Sequence, residues 1–246
     1  MARVFMTLQG KGGVGKSFVA SLIAQHFLAR GIKPQCFDTD PVNQTFASYN
    51  AFDATRFKLG ERVDQIDQRA FDGLIEEILP ADDEAVFVVD NGAATFLPLV
   101  NYLAENEAVS VLTEAGHEVV PISILTGGQA LTDTATGLSQ LAQLVPDVQL
   151  LVVLNEYFGP VQSTGGKTSV GFTETRLFKD LEARIRSVIV LPVVTAATYG
   201  KDLEALLSQH LTFAESASAG GLSVMARHRL KTYWDKMDAV LLEAGL

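Results

Sequence analysis

The chain is poor in several of the residues that announce a function. Cys36 is the only cysteine in 246 residues, so an intramolecular disulfide framework is excluded, and the reading is a small buried thiol in a reducing compartment. The four histidines, His26, His117, His210 and His228, are scattered and form no metal-ligand spacing. No G-x-S-x-G elbow is present, which argues against serine hydrolase chemistry on an α/β sheet. No apolar run approaches the ~18–20 residues of a membrane span. Near the N-terminus, Gln9, Gly10 and Lys11 interrupt the first apolar stretch too early for a secretory signal, so a cytoplasmic location is expected. Low-complexity tracts and internal repeats are absent. Positive charge is scarce: 19 Lys and Arg stand against 29 Asp and Glu, a net charge of −10. Such a balance disfavours general binding to a nucleic-acid backbone.

What is present is a phosphate-binding run. Residues 10–17 read Gly10-Lys11-Gly12-Gly13-Val14-Gly15-Lys16-Ser17 and satisfy G-x-x-x-x-G-K-[ST] in full. An apolar stretch, Val4 to Leu8, precedes the run. A helical pattern follows it, with Val19, Leu22, Ile23 and Phe27 at helical spacing and Gly31 as the stop. Strand, glycine loop and helix form the context this chemistry requires. Glycines let backbone N–H groups converge on phosphate, and the helix N-terminus adds further donors and a favourable dipole. Lys16 is expected at the β- and γ-phosphates, and the Ser17 hydroxyl on Mg²⁺. The binding run is taken to extend through Phe18. Lys11 is a charge that this pattern does not demand.

The remainder alternates apolar runs with helical patterns, which predicts an α/β fold: one domain over 1–246, with a mostly parallel central sheet flanked by helices on both faces. Strands are expected at 3–8, 35–38, 86–90, 119–124, 149–155 and 187–191. Helices are expected at 16–30, 67–79, 95–105, 128–144, 173–183, 201–209 and 222–243. Residues 43–49 read as a helix start and 62–66 as a short strand. Residues 156–171 read as a long surface loop. Within it, Gly165-Gly166-Lys167-Thr168 imitates a second phosphate loop, but Val161 stands where the first glycine is required.

In open parallel sheets ligands bind beyond the carboxyl ends of the strands, so polar residues there carry the argument. The second strand ends Asp38-Thr39-Asp40-Pro41, and two carboxylates beside a polyphosphate need a cation or a water to use them. The apolar run 86–89 ends in Asp90, the Walker B pattern for an aspartate that holds Mg²⁺. The run 149–154 ends in Asn155, without the Lys and Asp that would read guanine, which favours adenine. Charge is uneven. Nine acids and two arginines lie between Glu61 and Glu84, and Arg227, Arg229, Lys231 and Lys236 gather near the C-terminus. The basic group is a conceivable DNA contact, although a solvated helix face is the simpler reading.

Lys11 followed by Gly12, Gly13, Gly15, Lys16 and Ser17 resembles the deviant Walker A motif, KGGxGK[ST], of the MinD/ParA ATPases. The resemblance implies a P-loop ATPase of the SIMIBI class, with ATP and Mg²⁺ as cofactors and slow hydrolysis. It also implies an ATP-dependent homodimer in which Lys11 reaches the nucleotide of the partner subunit, as an arginine finger does. Carried over residue by residue, Asp40 orients the attacking water, Asp38 supports the magnesium shell, Asn155 hydrogen-bonds the base and Pro192 flanks it. The segment Asn91-Gly92-Ala93 departs from the family's usual continuation after Asp90. The phrases 8–17 and 38–46 are similar to those of TraL-type conjugal transfer proteins, which implies a role in transfer or maintenance of a mobile element, with a protein partner. The C-terminal segment from Trp234 mixes Asp235, Asp238 and Glu243 with Lys236, unlike the basic membrane helix of MinD, so no stable membrane anchor is expected. Two other readings remain open: a small-acid ligase or kinase resembling dethiobiotin synthetase, and a nucleotide-binding recruitment module with little hydrolysis.

Overall fold

A sheet of seven parallel strands carries the chain in a computed structural model that describes residues 1–60, 66–165 and 168–246. In chain order the elements are β1 (Arg3–Thr7), α1 (Lys16–Leu28), β2 (Gln35–Asp38), β3 (Thr55–Arg56), α2 (Ala70–Ile78), β4 (Val86–Asp90), α3 (Phe96–Glu105), α4 (Ala108–Glu114) and β5 (Glu118–Thr126). They continue with α5 (Leu131–Leu144), β6 (Leu150–Asn155), β7 (Gln162–Gly165), β8 (Thr168–Gly171), α6 (Arg176–Leu181), β9 (Ile185–Leu191), α7 (Lys201–Ser208), α8 (Phe213–Ser216) and α9 (Val224–Glu243). The order across the sheet is β3-β2-β4-β1-β5-β6-β9. β1 is therefore central, and the loop leaving it emerges between the ends of β4 and β5.

Alternation along β1 shows how the layers form. Val4 and Met6 enter one core with Phe71, Leu99, Leu138 and Leu141, on the face covered by α2 to α6. Phe5 enters the other core with Leu22, Ile23, Phe27, Leu230 and Tyr233, beneath α1, α7, α8 and α9. Successive strand residues point to opposite faces, so a strand covered on both sides has to be apolar throughout. β4 is such a strand, buried at every position. Pro121 is accommodated in β5 because the pairing with β6 begins only at Ile122.

The predicted fold class and the six predicted strands are observed, with small shifts at the ends. The surface loop expected over 156–171 is instead a 3₁₀ turn at Glu156–Phe158 and an antiparallel hairpin, β7–β8. Its strands are polar and lack the apolar alternation that marks a strand in sequence. Of the imitation phosphate run, Gly165 ends β7 and Thr168 begins β8, and the two residues between lie outside the described residues. Residues 43–49 form only a short 3₁₀ turn, Phe46–Ser48. The strand expected at 62–66 falls largely outside the described residues. β3, α4 and α8 were not anticipated. α4 follows α3 almost at once, through Glu107 in the left-handed region at φ 50°, a break made without glycine or proline.

α9 is tied to α1 through a buried polar group. The fully buried His26 places Nδ1 2.7 Å from Asp238 Oδ1, and Arg30 donates to the same carboxylate at 2.7 Å. Burial pushes the imidazole below its ordinary range, outweighing the hydrogen bond to Asp238. The folded protein therefore binds fewer protons than the unfolded chain as pH falls below about 6.5, and stability is lost there. The thermal midpoint should fall by a few degrees between about pH 7.5 and about pH 5.5, and His26→Gln should flatten that fall, as followed by circular dichroism.

Candidate functional site

The loop between β1 and α1 turns on two left-handed glycines, Gly13 at φ 74° and Gly15 at φ 97°. Gly15 is also the N-cap of α1, so the loop leads directly into unsatisfied helix N–H groups. Neighbours crowd the loop. A side chain at Gly15 would come within 2.9 Å of Asn155 Nδ2, and one at Gly10 within 2.9 Å of the Phe96 ring. Lys16 is nearly buried, and its Nζ donates to the Lys11 carbonyl at 2.9 Å. Burial lowers the Lys16 pKa, and Asp90 and Asp40 oppose that shift.

Beside Lys16 stands Asp90, 1% exposed at the end of β4. Its Oδ1 accepts from Thr7 Oγ1 at 2.9 Å, and the Ser17 hydroxyl stands near enough to favour its ionised form. Desolvation pushes this carboxyl up to about 7, with the nearby Asp38 adding to the rise and Ser17 and Thr7 opposing it. Asp38 is likewise buried and raised by desolvation. Both of its oxygens are engaged by backbone: Oδ1 accepts from Asp40 N at 3.0 Å and Oδ2 from Ala47 N at 2.9 Å. Asp40 is more open. Its Oδ1 caps the turn at Val42 N (2.8 Å), and its carboxylate lies against Gly92, where an added Cβ would meet Asp40 Cγ at 2.8 Å.

The expected nucleotide residues fall into three places. Lys16, Ser17, Asp38, Asp40 and Asp90 converge at the ends of β1, β2 and β4. Phe18, Asn155 and Pro192 line an apolar cleft of about 150 Å³ on the other side of the loop, with Leu191, Leu203 and Tyr233. Asn155 is turned toward the loop: Nδ2 donates to Val14 O at 2.9 Å and Oδ1 accepts from Tyr157 N at 3.1 Å. Lys11 lies apart from both groups. Its side chain reaches outward to Asp133 Oδ2 on α5, 2.8 Å away, with both partners about half exposed. This pair borders an open cleft of about 360 Å³ lined by Gly10, Ala93, Phe96, Leu97 and Gln140.

The basic group near the C-terminus is largely committed within the chain. Arg229 pairs with Asp202 at 2.5 Å, Lys231 with Asp235 at 2.6 Å, and Arg227 donates to Ala219 O at 2.9 Å. Three of the four candidate DNA contacts thus have internal partners.

Sequence reasoning missed Thr7, Gln9 and Asp133. Thr7 could have been found, because it is a lone hydroxyl in the apolar run that leads into the glycine loop. Gln9 is fully buried and donates to Ile124 O and Thr134 O, fastening the loop's entrance to β5 and α5. Asp133 carries no sequence signal, being one acid among others on helices.

The donors suit a hard cation. Ser17 offers a hydroxyl and Asp90 a carboxylate, the oxygen donors such a cation takes. Were magnesium bound, these two residues would hold it, since that ion takes one or two protein oxygens and completes its shell with water and phosphate. A buried carboxylate poised for a cation burdens the fold without one. Asp90→Asn should therefore stabilise the nucleotide-free protein by about 1–2 kcal/mol, raising its melting temperature by roughly 2–8 °C in calorimetry.

No family model matches the chain. Two curated relatives from Escherichia coli do, both named Protein TraL. One is 43% identical over 232 residues, 94% of this chain and 93% of the relative; the other is 40% identical over 247 residues and covers both chains fully. Among solved structures, the MinD cell division protein of Aquifex aeolicus superposes with a TM-score of 0.52 at 14% identity, over 97% of this chain and 98% of that one. The MinC:MinD complex of the same organism gives 0.52 at 12% identity, over 97% and 96%. The phosphate loop, the strand order and this likeness agree on a MinD-like P-loop fold, and the full-length identity to the two relatives places the chain in the TraL family.

Proposed function

We propose that this chain binds ATP with magnesium, hydrolyses it slowly, and uses the cycle to form and dissolve a two-fold dimer that engages a protein partner during transfer of a mobile element. The observation that carries the reading is the divergence of the two loop lysines. The Lys16 side chain lies inside its own loop, while the Lys11 side chain leaves the loop for a half-exposed aspartate on α5. A lysine so placed is available to a second subunit once Asp133 gives it up.

Each residue then has a task. The loop N–H groups and Lys16 bind the phosphates, and Ser17 and Asp90 would hold magnesium, which neutralises phosphate charge when bound. Asp38 shapes the turn that presents Asp40, through its two bonds to backbone N–H groups. Asp40 is the more accessible of the two carboxylates and orients the attacking water. The apolar cleft walled by Phe18, Leu191 and Pro192 takes the base, and Asn155 braces the loop beneath it. The whole chain works as one nucleotide-binding domain. The names of the TraL relatives and the sequence phrases shared with transfer proteins support the biological setting.

Sedimentation velocity tests the reading. The wild type should be monomeric without nucleotide and dimeric with ATP and Mg²⁺. Lys16→Ala should lose nucleotide binding by at least ~100-fold, since it removes a charge-assisted phosphate contact in a buried loop. Lys11→Ala should still bind ATP yet stay monomeric. A wild type that remains monomeric at saturating ATP would overturn the reading.

The Asp133 contact makes a second prediction. An exposed ion pair contributes about 0.2–1 kcal/mol. Asp133→Asn should therefore release Lys11 and tighten ATP-dependent dimerisation by about two- to five-fold per subunit, with the difference shrinking at high salt.

A further inference from the structure

We propose that Asn91, the residue after Asp90, is a positioning residue that sets Asp40 and links it to α3 and the Lys11 loop; this rests on the hydrolysis reading above. Asn91 is 1% exposed, and both ends of its side-chain amide are hydrogen-bonded. Oδ1 accepts from Thr39 Oγ1 at 2.8 Å and from Thr95 Oγ1 at 2.7 Å, and Nδ2 donates to Gly92 O at 3.1 Å. Its backbone N–H donates to Thr7 Oγ1 at 3.3 Å.

Each partner belongs to a different part of the site. Thr39 separates Asp38 from Asp40, and its own N–H donates to Asp90 O at 2.9 Å. Gly92 is the surface on which the Asp40 carboxylate rests, close enough that a side chain there would displace Asp40. Thr95 immediately precedes α3, whose first residue, Phe96, packs against Gly10 beside Lys11. A single amide thus joins the Asp40 turn, the loop after β4 and the start of α3. Buried polar groups that are fully partnered hold one arrangement, because any other leaves a desolvated group unpaired.

The chemistry requires an amide. An aspartate at 91 would lose the donor to Gly92 O and place a third carboxylate beside Asp38 and Asp90. An alanine would remove the acceptor that the Thr39 and Thr95 hydroxyls share, leaving each only a backbone carbonyl, Asp90 O at 3.2 Å and Gly92 O at 3.1 Å, and no link between them. In either case the turn bearing Asp40 keeps its backbone bond from Thr39 N to Asp90 O but loses its side-chain tie to the loop after β4 and to Thr95, while the bonds that hold the phosphate loop remain.

The consequence is a split between binding and turnover. Asn91→Ala should lower kcat by about 10–100-fold, the range seen when supporting hydrogen bonds around a reactive group are removed, with nucleotide affinity changed less than about threefold. Thr39→Val and Thr95→Val each delete one donor to Asn91 with little change of shape. They should reproduce part of the loss, and adding either to Asn91→Ala should cost little more. Hydrogen exchange gives a readout besides turnover: in the wild type ATP with Mg²⁺ should slow exchange both at 39–43 and at 92–99, whereas in Asn91→Ala the change at 92–99 should vanish. Equal kcat in Asn91→Ala and wild type, or an ATP response at 92–99 that persists without Asn91, would overturn the proposal. If the wild type itself turns over no ATP, the hydrolysis reading falls, and the exchange comparison alone decides the role of Asn91.

Discussion

The burial of the Asp90 carboxylate is the constraint around which the site is arranged. It lies at the end of a fully buried central strand, where an isolated charge is costly. Thr7, Ser17 and Lys16 are the groups that reduce this cost, and each comes from the strand, loop or helix next to β4. Asp38 works in the opposite direction, raising the carboxyl further. The result is a desolvated acidic cluster directly below the glycine loop. On the proposed reading, this is where stability is traded for function and a bound cation would restore it.

From that centre two lysines diverge. Lys16 is drawn inward by the Lys11 carbonyl and by the negative cluster, which fits a ligand bound within the subunit. Lys11 is drawn outward by Asp133 on another element. An exposed pair of this kind is weak and exchangeable, so it can hold a side chain without trapping it. The buried Asn91 network is the opposite case: it is shut off from solvent and joins three segments through one amide, which suits a part that keeps its geometry. The site thus combines a rigid inner arrangement with a loosely held outer arm.

Much of this was legible in the residues. The strand order could not be read, but strand existence could, because parallel strands covered on both faces must be continuous apolar runs. Gly13 and Gly15 announced the left-handed loop, and Asp38, Asp40 and Asp90 announced themselves by ending such runs. Long-range pairing was hidden: nothing local in Asp133 says that α5 brings it to Lys11, 122 positions away. Asn155 was legible as a strand-end polar residue, yet its orientation toward Val14 depends on how β6 sits against the loop. Asn91 stood out only as a departure from the family pattern. The hairpin β7–β8 escaped because its polar strands pair with each other rather than with the core.

If Lys11 acts on the nucleotide of a second subunit, a structure of the Asp40→Ala protein with ATP and Mg²⁺ should be a two-fold dimer in which Lys11 has left Asp133 and its Nζ lies about 2.7–3 Å from phosphate oxygens bound by the partner. A nucleotide-loaded chain in which Lys11 still pairs with its own Asp133, or turns to its own nucleotide, would contradict it.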